Sequence, residues 1–386
     1  MKVAVVHDWL PLIGGAERVL KGILEVYPNA DVYTLFNFLT NEQLGSLGIK
    51  NPKVSYLNRL PKVDKYYRNL FPLCAQAIES FDLSDYDLII SSSHFVAKGV
   101  ITRAEQTHIS YMHSPPRYAW DLMHHYLKES NLRGLKGYVA QNLLHKFRIW
   151  DSRTANGVDY FIANSDFIRR RIWKVYRRES DVIYPPVNVN AFSFKSDKSD
   201  SYLAASRLVP YKKIDLIVSA FAKMPSLKLN VIGDGPEMNK IQKLAEGSPN
   251  IKVLGYQPNS VLVEHMQNAR AFVFAAEEDF GIMPVEAQAC GTPVIAYAAG
   301  GALETVKGFD SLSEKRTGEF FYEQKESSLI SAVTKFEANS HVYNPIDCRE
   351  HAKKFDTETF KKKLREKVDN CYEKETLGCV NKLKVV

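Results

Sequence analysis

After the segment Ile183-Tyr184-Pro185-Pro186-Val187 this sequence starts its pattern over. On either side of that segment, short apolar runs alternate with amphipathic stretches, the signature of βα units wound around a parallel sheet. Before it, strands are expected at 3–6, 32–35, 88–91, 108–112 and 160–163, and after it at 202–205, 229–232, 251–254, 271–274 and 293–296. The expected fold is therefore α/β, with two parallel-sheet domains, 1–186 and 187–386. The stretch 195–201 (KSDKSDS) reads as a surface loop, and Asp356 can cap a helix over about 357–374. That last helix is a candidate to pack back on the first domain. Two such domains imply a cleft, with ligands beyond the carboxyl ends of the strands.

The 386 residues suffice for more than one core, and 45% hydrophobic with 25% charged residues excludes disorder, collagen and coiled coil. No apolar run approaches the roughly 18 residues needed to span a bilayer, and His7-Asp8 ends the opening run too early for a signal peptide. Five scattered cysteines without a CxxC argue against a disulfide framework or zinc site, so a cytoplasmic protein is expected. The net charge of +7 points to an anionic partner, whether nucleotide, nucleic acid or membrane.

The loops after the strands carry the chemistry. A dinucleotide fingerprint is missing, since Gly14-Gly15 lacks its spacing and Gly233-Asp234-Gly235 has Met238 where a third glycine would stand. There is no P-loop. Asp85-Tyr86-Asp87 precedes a strand, the wrong end for a metal. What is present is Glu278-Asp279-Phe280-Gly281-Ile282-Met283-Pro284-Val285-Glu286, with Pro284 expected as the first helical residue and Glu286 as the third. Free amides around Gly281 to Met283 and the positive end of that helix suit a phosphate, and Glu286 a ribose diol or sugar hydroxyl. The plainer alternative is that Glu286 only stabilises the helix start. Arg207 and Lys212, five apart across a turn containing Pro210, can converge on a diphosphate or can simply be solvated. His113, in the Tyr111-to-Trp120 stretch, can donate to a sugar hydroxyl or be structural.

At these residues the chain resembles retaining glycosyltransferases of family 4 with the GT-B fold, two Rossmann-like domains. The resemblance rests on His7-Asp8-Trp9-Leu10, Gly14-Gly15-Ala16-Glu17, His113-Ser114-Pro115, Trp150-Asp151, Asn164-Ser165, Ile183 to Val187, Arg207 with Lys212, Gly233-Asp234-Gly235, and the Glu278/Glu286 pair with Gly291-Thr292-Pro293. The opening segment and Pro116-to-Asp121 are most similar to bacterial mannosyltransferases of O-antigen and exopolysaccharide assembly. Asn188 departs from the aspartate often found there.

The resemblance implies a nucleoside-diphosphate sugar, GDP-mannose, held mainly by the second domain, and a polyprenyl-diphosphate-linked glycan acceptor bound by the first. Arg207 and Lys212 would neutralise the diphosphate, Glu286 would bind ribose, and Glu278 with the amides of Phe280, Gly281, Ile282 and Met283 would hold the sugar. Gly14, Gly15 and Gly233 join the donor site, and His113 the transferred sugar. No cofactor or metal is implied. A UDP-sugar donor is the alternative; a nucleotide-sugar epimerase and a nucleic-acid-binding protein are further ones, the last without a recognised motif. The segment 56–73 places Arg59, Lys62, Lys65 and Arg68 three apart beside aromatic residues, read as one basic helical face for an anionic membrane at the inner face of the cytoplasmic membrane. The alternatives are an ordinary amphipathic helix covering the first sheet with a solvated basic edge, or a face shortened where Pro61 breaks the helix.

Overall fold

The computed structural model describes residues 1–130, 132–309 and 315–383. The chain divides into two compact units, Met1–Pro186 with Phe360–Val386, and Val187–Thr359. The second unit thus ends at Thr359 rather than running to 386.

The first unit holds seven parallel strands, β1 (Val3–His7), β2 (Asp31–Thr34), β3 (Lys53–Val54), β4 (Leu88–Ser93), β5 (Thr107–Met112), β6 (Tyr160–Ala163) and β7 (Ser180–Val182), in the order β3-β2-β1-β4-β5-β6-β7. Every residue of β1, β4 and β5 is buried, as expected where both faces of a parallel sheet are covered. Alternate residues serve opposite faces: Val3 and Val5 belong to one apolar cluster, Ala4 and Val6 to another. The first cluster is completed by Phe360, Leu364, Val368 and Cys371. These recur at helical spacing along the last helix, Thr357–Leu383, so its apolar stripe assigns it to the first unit. Asp356 precedes that helix and accepts from the Val189 amide at 3.3 Å.

The second unit holds β8 (Ser201–Ala205), β9 (Lys228–Ile232), β10 (Ile251–Gly255), β11 (Phe272–Phe274), β12 (Val294–Tyr297) and β13 (Gly318–Phe321), all parallel, in the order β10-β9-β8-β11-β12-β13. Each sheet reverses its order once, between β1 and β4 and between β8 and β11. Such switch points open a crevice at the carboxyl ends of the two strands.

The expected basic helix over 56–73 does not form. Tyr56–Arg59, Val63–Lys65 and Tyr67–Leu70 are separate 3₁₀ turns, and an α-helix begins only at Phe71. Pro61 forces Leu60 into an extended conformation, and Lys62 is left-handed at φ 53°. Leu57, Val63 and Tyr67 anchor the three turns in the core. Arg59, Lys62, Lys65 and Arg68 are all exposed but share no helical face. The 195–201 loop is less solvated than expected, because Lys198 Nζ donates to Gln267 O, Cys290 O and Thr292 Oγ1. Among the described residues no helix is long and apolar enough to cross a membrane.

Candidate functional site

In the second unit the switch point gathers the loops after β8 and β11. The β8 loop carries Arg207, exposed, and ends in the 3₁₀ turn Pro210–Lys212. It is braced by the loop after β9: the Leu208 amide donates to Asp234 O at 2.9 Å and the Ser206 amide to Ile232 O at 3.1 Å. Gly233 permits this approach, since at φ 143° a Cβ there would lie 1.8 Å from Ser206 O. The structure thus gives Gly233 a bracing role beneath Arg207.

Lys212 forms an ion pair with Glu278 Oε1, joining residues 66 apart in sequence. Both side chains are largely covered, and burial draws the Lys212 ammonium down to about 8. The facing carboxylate works in the opposite direction, favouring the charged form.

After Glu278 the chain turns at Gly281, φ 85°, into the helix Ile282–Ala289. Gly281 is therefore the cap, and Pro284 is the third helical residue and Glu286 the fifth, two positions later than the spacing suggested. Proline is tolerated there because first-turn amides have no acceptor within the helix. For the same reason the amides of Ile282 and Met283 are available at this end. Phe280 turns its ring inward against Phe355, at 5.5 Å between centroids, leaving only its backbone for a ligand. Glu286 is 6% exposed, and Gln288 Nε2 donates to Pro284 O within the helix and to Thr305 O, tying the helix to the segment after β12.

Two residues of this site escaped the sequence reading. Gly300 and Gly301, after β12, underlie the Glu278 loop, with the Gly301 amide donating to Glu278 O at 2.8 Å. A Cβ on Gly300 would lie 2.2 Å from Glu278 O, and one on Gly301 2.3 Å from Phe280 Cα. A glycine pair just past a strand's carboxyl end was the available signal.

In the first unit the switch point gathers three histidines. His7 ends β1 and pairs in register with Ser92 of β4. The Ser92 hydroxyl lies 3.0 Å from His7 Nδ1 and 2.8 Å from His113 Nε2, so it bridges the two rings. Burial, then the neighbouring His94 and His7, hold His113 well below the usual histidine range, so it is neutral at physiological pH. Ser92 and His94 carried no signal in the sequence, whereas His7 stood out only as part of the opening segment. Asp8 is consumed structurally: its two oxygens accept the amides of His94, Phe95, Val96 and Ala97 at 2.6 to 2.9 Å.

Gly14 caps the helix Gly15–Val26, its amide donating to Glu17 Oε2 at 2.8 Å. Burial raises the Glu17 carboxyl, but the hydrogen bond and charge of His7, with the backbone amides, outweigh it and leave it below the usual range. Trp150-Asp151 proves to be core: Asp151 pairs with the fully buried Lys98 at 2.9 Å and accepts from Trp120 Nε1 and Tyr176. Among the described residues no three His, Cys, Asp or Glu gather as metal ligands would.

Two family models match in tandem, Glycosyltransferase Family 4 over residues 13–191 and Glycosyl transferases group 1 over 189–359. An uncharacterized glycosyltransferase of Methanocaldococcus jannaschii is 23% identical over 337 residues, 86% of this chain and 89% of its own length. A GDP-mannose-dependent monoacylated alpha-(1-6)-phosphatidylinositol monomannoside mannosyltransferase of Corynebacterium glutamicum is 37% identical over 114 residues, which cover 26% of this chain and 30% of that one. Among solved structures, HepE of Anabaena in complex with UDP superposes with TM-score 0.69 at 19% identity, over 96% of this chain and 100% of its own. Sucrose-phosphate synthase of Thermosynechococcus elongatus does so with TM-score 0.69 at 16% identity, over 97% and 100%.

Proposed function

Because the chain is a GT-B glycosyltransferase built of a family 4 domain and a group 1 domain, we propose that it transfers mannose from GDP-mannose, with retention, to a polyprenyl-diphosphate-linked glycan. The setting is bacterial O-antigen or polysaccharide assembly on the inner face of the cytoplasmic membrane. The first unit takes the acceptor and the second the donor.

The observation that carries this reading is the Lys212–Glu278 pair at the switch point of the second sheet, next to the helix Ile282–Ala289 that Gly281 caps. A diphosphate is the ligand that can take Glu278's place on Lys212, with Arg207 as the second cation. Glu278 is then released to accept from a sugar hydroxyl, and the amides of Ile282 and Met283 face the same ligand. Glu286 takes the ribose hydroxyls. As the bond from the anomeric carbon to the diphosphate oxygen breaks, the electron pair stays on the phosphate, where Lys212 and Arg207 neutralise it. The acceptor hydroxyl oxygen forms the new bond to that carbon and passes its proton to the departing diphosphate oxygen. Neutral His113 serves the transferred sugar as a hydrogen-bond partner. The two cations do the work a divalent metal would otherwise do.

The Corynebacterium relative supports GDP-mannose. A UDP-sugar donor is the second reading, favoured by the UDP bound in the Anabaena neighbour. Calorimetry with GDP and UDP, followed by turnover of GDP-mannose, decides between them; binding of UDP alone refutes the first.

A further inference from the structure

The first unit contains a cavity of about 490 Å³ that the reaction described above does not use. Its wall is aromatic and aliphatic, with Trp9, Phe71, Phe95, Tyr118, Leu127 and Leu144 contributing. That volume lies within the roughly 300–1,000 Å³ range of small-ligand pockets. Two basic side chains stand in the lining, His94 and Arg68. His94 is held by Asp8 at 3.1 Å. Arg68 is exposed, donates to Tyr67 OH at 3.1 Å, and meets no carboxylate among the described residues.

The surface around the cavity is equally unusual. Helix Gly134–Thr154 buries Leu144, Phe147 and Asp151 on one side. Leu135, Tyr138, Val139, Leu143 and Ile149 are 37–79% exposed. At roughly 100° per residue these five fall within about 140° of one another, on the side away from the buried three. Asn142, Lys146 and Arg153 share that arc, and an outer side that mixes exposed apolar residues with basic ones is expected where it meets a membrane interface rather than water alone. Leu143 belongs to both features, as it lines the cavity and stands in the exposed stripe, and Tyr126, 51% exposed, also lines the cavity. Between Met123 and Ile149 the sequence carries five Lys or Arg (Lys128, Arg133, Lys136, Lys146, Arg148) against the single acid Glu129.

We propose that this cavity binds the hydrocarbon chain of a membrane lipid phosphate, with Arg68 at the phosphate and the stripe from Leu135 to Ile149 resting in the bilayer interface from which the chain enters. Identifying that lipid with the glycan acceptor rests on the function proposed above; chain binding itself does not. The occupant fits on three counts. The lining is apolar, the cation left unmatched by a carboxylate suits one anionic group, and the outer apolar stripe flanked by basic residues suits an anionic bilayer. Arg68 thereby keeps a lipid-facing role, whereas Arg59, Lys62 and Lys65 lie outside the cavity lining.

The test uses geranyl and farnesyl monophosphate as probes, with ethyl phosphate and inorganic phosphate as controls, by calorimetry on the full chain. Affinity is expected to rise at least tenfold from ethyl to farnesyl phosphate. Ala140→Phe, which fills the cavity from its helix wall, is expected to lose at least tenfold toward farnesyl phosphate while nucleotide binding is unchanged. Replacing Leu135, Tyr138 and Val139 together with Ser is expected to release the protein from phosphatidylglycerol vesicles without changing farnesyl phosphate affinity. Equal affinity for ethyl and farnesyl phosphate by the native chain overturns the proposal whether or not the filled variant folds. So does a folded Ala140→Phe protein with native affinity. Loss of nucleotide binding by the native protein would instead strike the glycosyltransferase reading and leave chain binding standing.

Discussion

Gly301→Ala is the sharpest probe of how the donor loop is held. The new Cβ would lie 2.3 Å from Phe280 Cα and 2.4 Å from Phe280 O, whereas ordinary contact begins at 3.4 Å. Both neighbours are backbone, so no side-chain rotation relieves the overlap, and the loop from Glu278 to Gly281 must move by about 1 Å. A displacement of that size at a reacting centre costs on the order of 10²-fold in rate. The three atoms nearest that Cβ all belong to Phe280, so the strain falls first on this loop, and circular dichroism checks that the protein stays folded. The assay is steady-state turnover of GDP-mannose, with calorimetry of free GDP beside it. GDP lacks the sugar that Glu278 is proposed to hold, so its affinity should fall less than kcat/KM. Gly157→Ala is the matched control, because its Cβ would meet nothing within 4 Å. A folded Gly301→Ala enzyme with native turnover would refute the reasoning, for it would mean that the position of this loop does not set the rate.

Arg207→Ala and Lys212→Ala should each lower kcat by about 10²- to 10³-fold with the fold intact, read by turnover and circular dichroism. The protonated Lys212 is the form that binds a diphosphate, and burial sets its pKa near 8; charge is therefore lost as pH rises through that value, and affinity for GDP should weaken about tenfold by pH 9, a dependence that Lys212→Arg removes. Glu286→Ala should abolish or strongly weaken GDP binding by calorimetry, since a charged hydrogen bond is worth roughly 1.5 to 3 kcal/mol and two ribose hydroxyls are at stake. His113→Ala should reduce turnover far more than GDP affinity; equal losses would place the residue in the nucleotide site or the fold. EDTA should leave activity intact, and a strict manganese requirement would contradict the two-cation reading.

The strands missed in the sequence share a position within the sheets, although one edge strand, β10, was read at 251–254. β1, β4 and β5 have neighbours on both sides and are buried throughout, and each carries a core of apolar residues, 3–6, 88–90 and the set Ile109, Tyr111 and Met112, that stands out in the sequence. β3, β7 and β13, which the pattern missed, are all edge strands. An edge strand bonds on one side only and need not be wholly apolar. β7 is Ser-Asp-Val, and β13 carries Glu319, buried but satisfied by Lys335 Nζ and Tyr343 OH, each at 3.0 Å. The site was legible to the same degree. Residues inside one loop, such as Glu278 through Met283, announce themselves by local spacing. The Lys212–Glu278 pair and the His7–Ser92–His113 bridge depend on which strands are neighbours, and no local window contains both ends of either.

That dependence also separates the two switch points by what can change in them. In the first unit, Asp8 spends both oxygens on four amides of the loop after β4, and no ligand offers a better match than donors already in place. That loop, and with it His94, is a fixed wall. In the second unit, Lys212 and Glu278 hold each other through a single contact, and a diphosphate carries more charge than the carboxylate it would displace. Exchange at Lys212 therefore does two things at once: it seats the phosphate and frees an acceptor for the sugar. A nucleoside diphosphate alone frees Glu278 with nothing to accept from, leaving a part-buried carboxylate without its cation, a costly state. The sugar supplies the missing hydroxyl. On this argument the intact donor, rather than its nucleotide half, is the ligand for which the second unit is built.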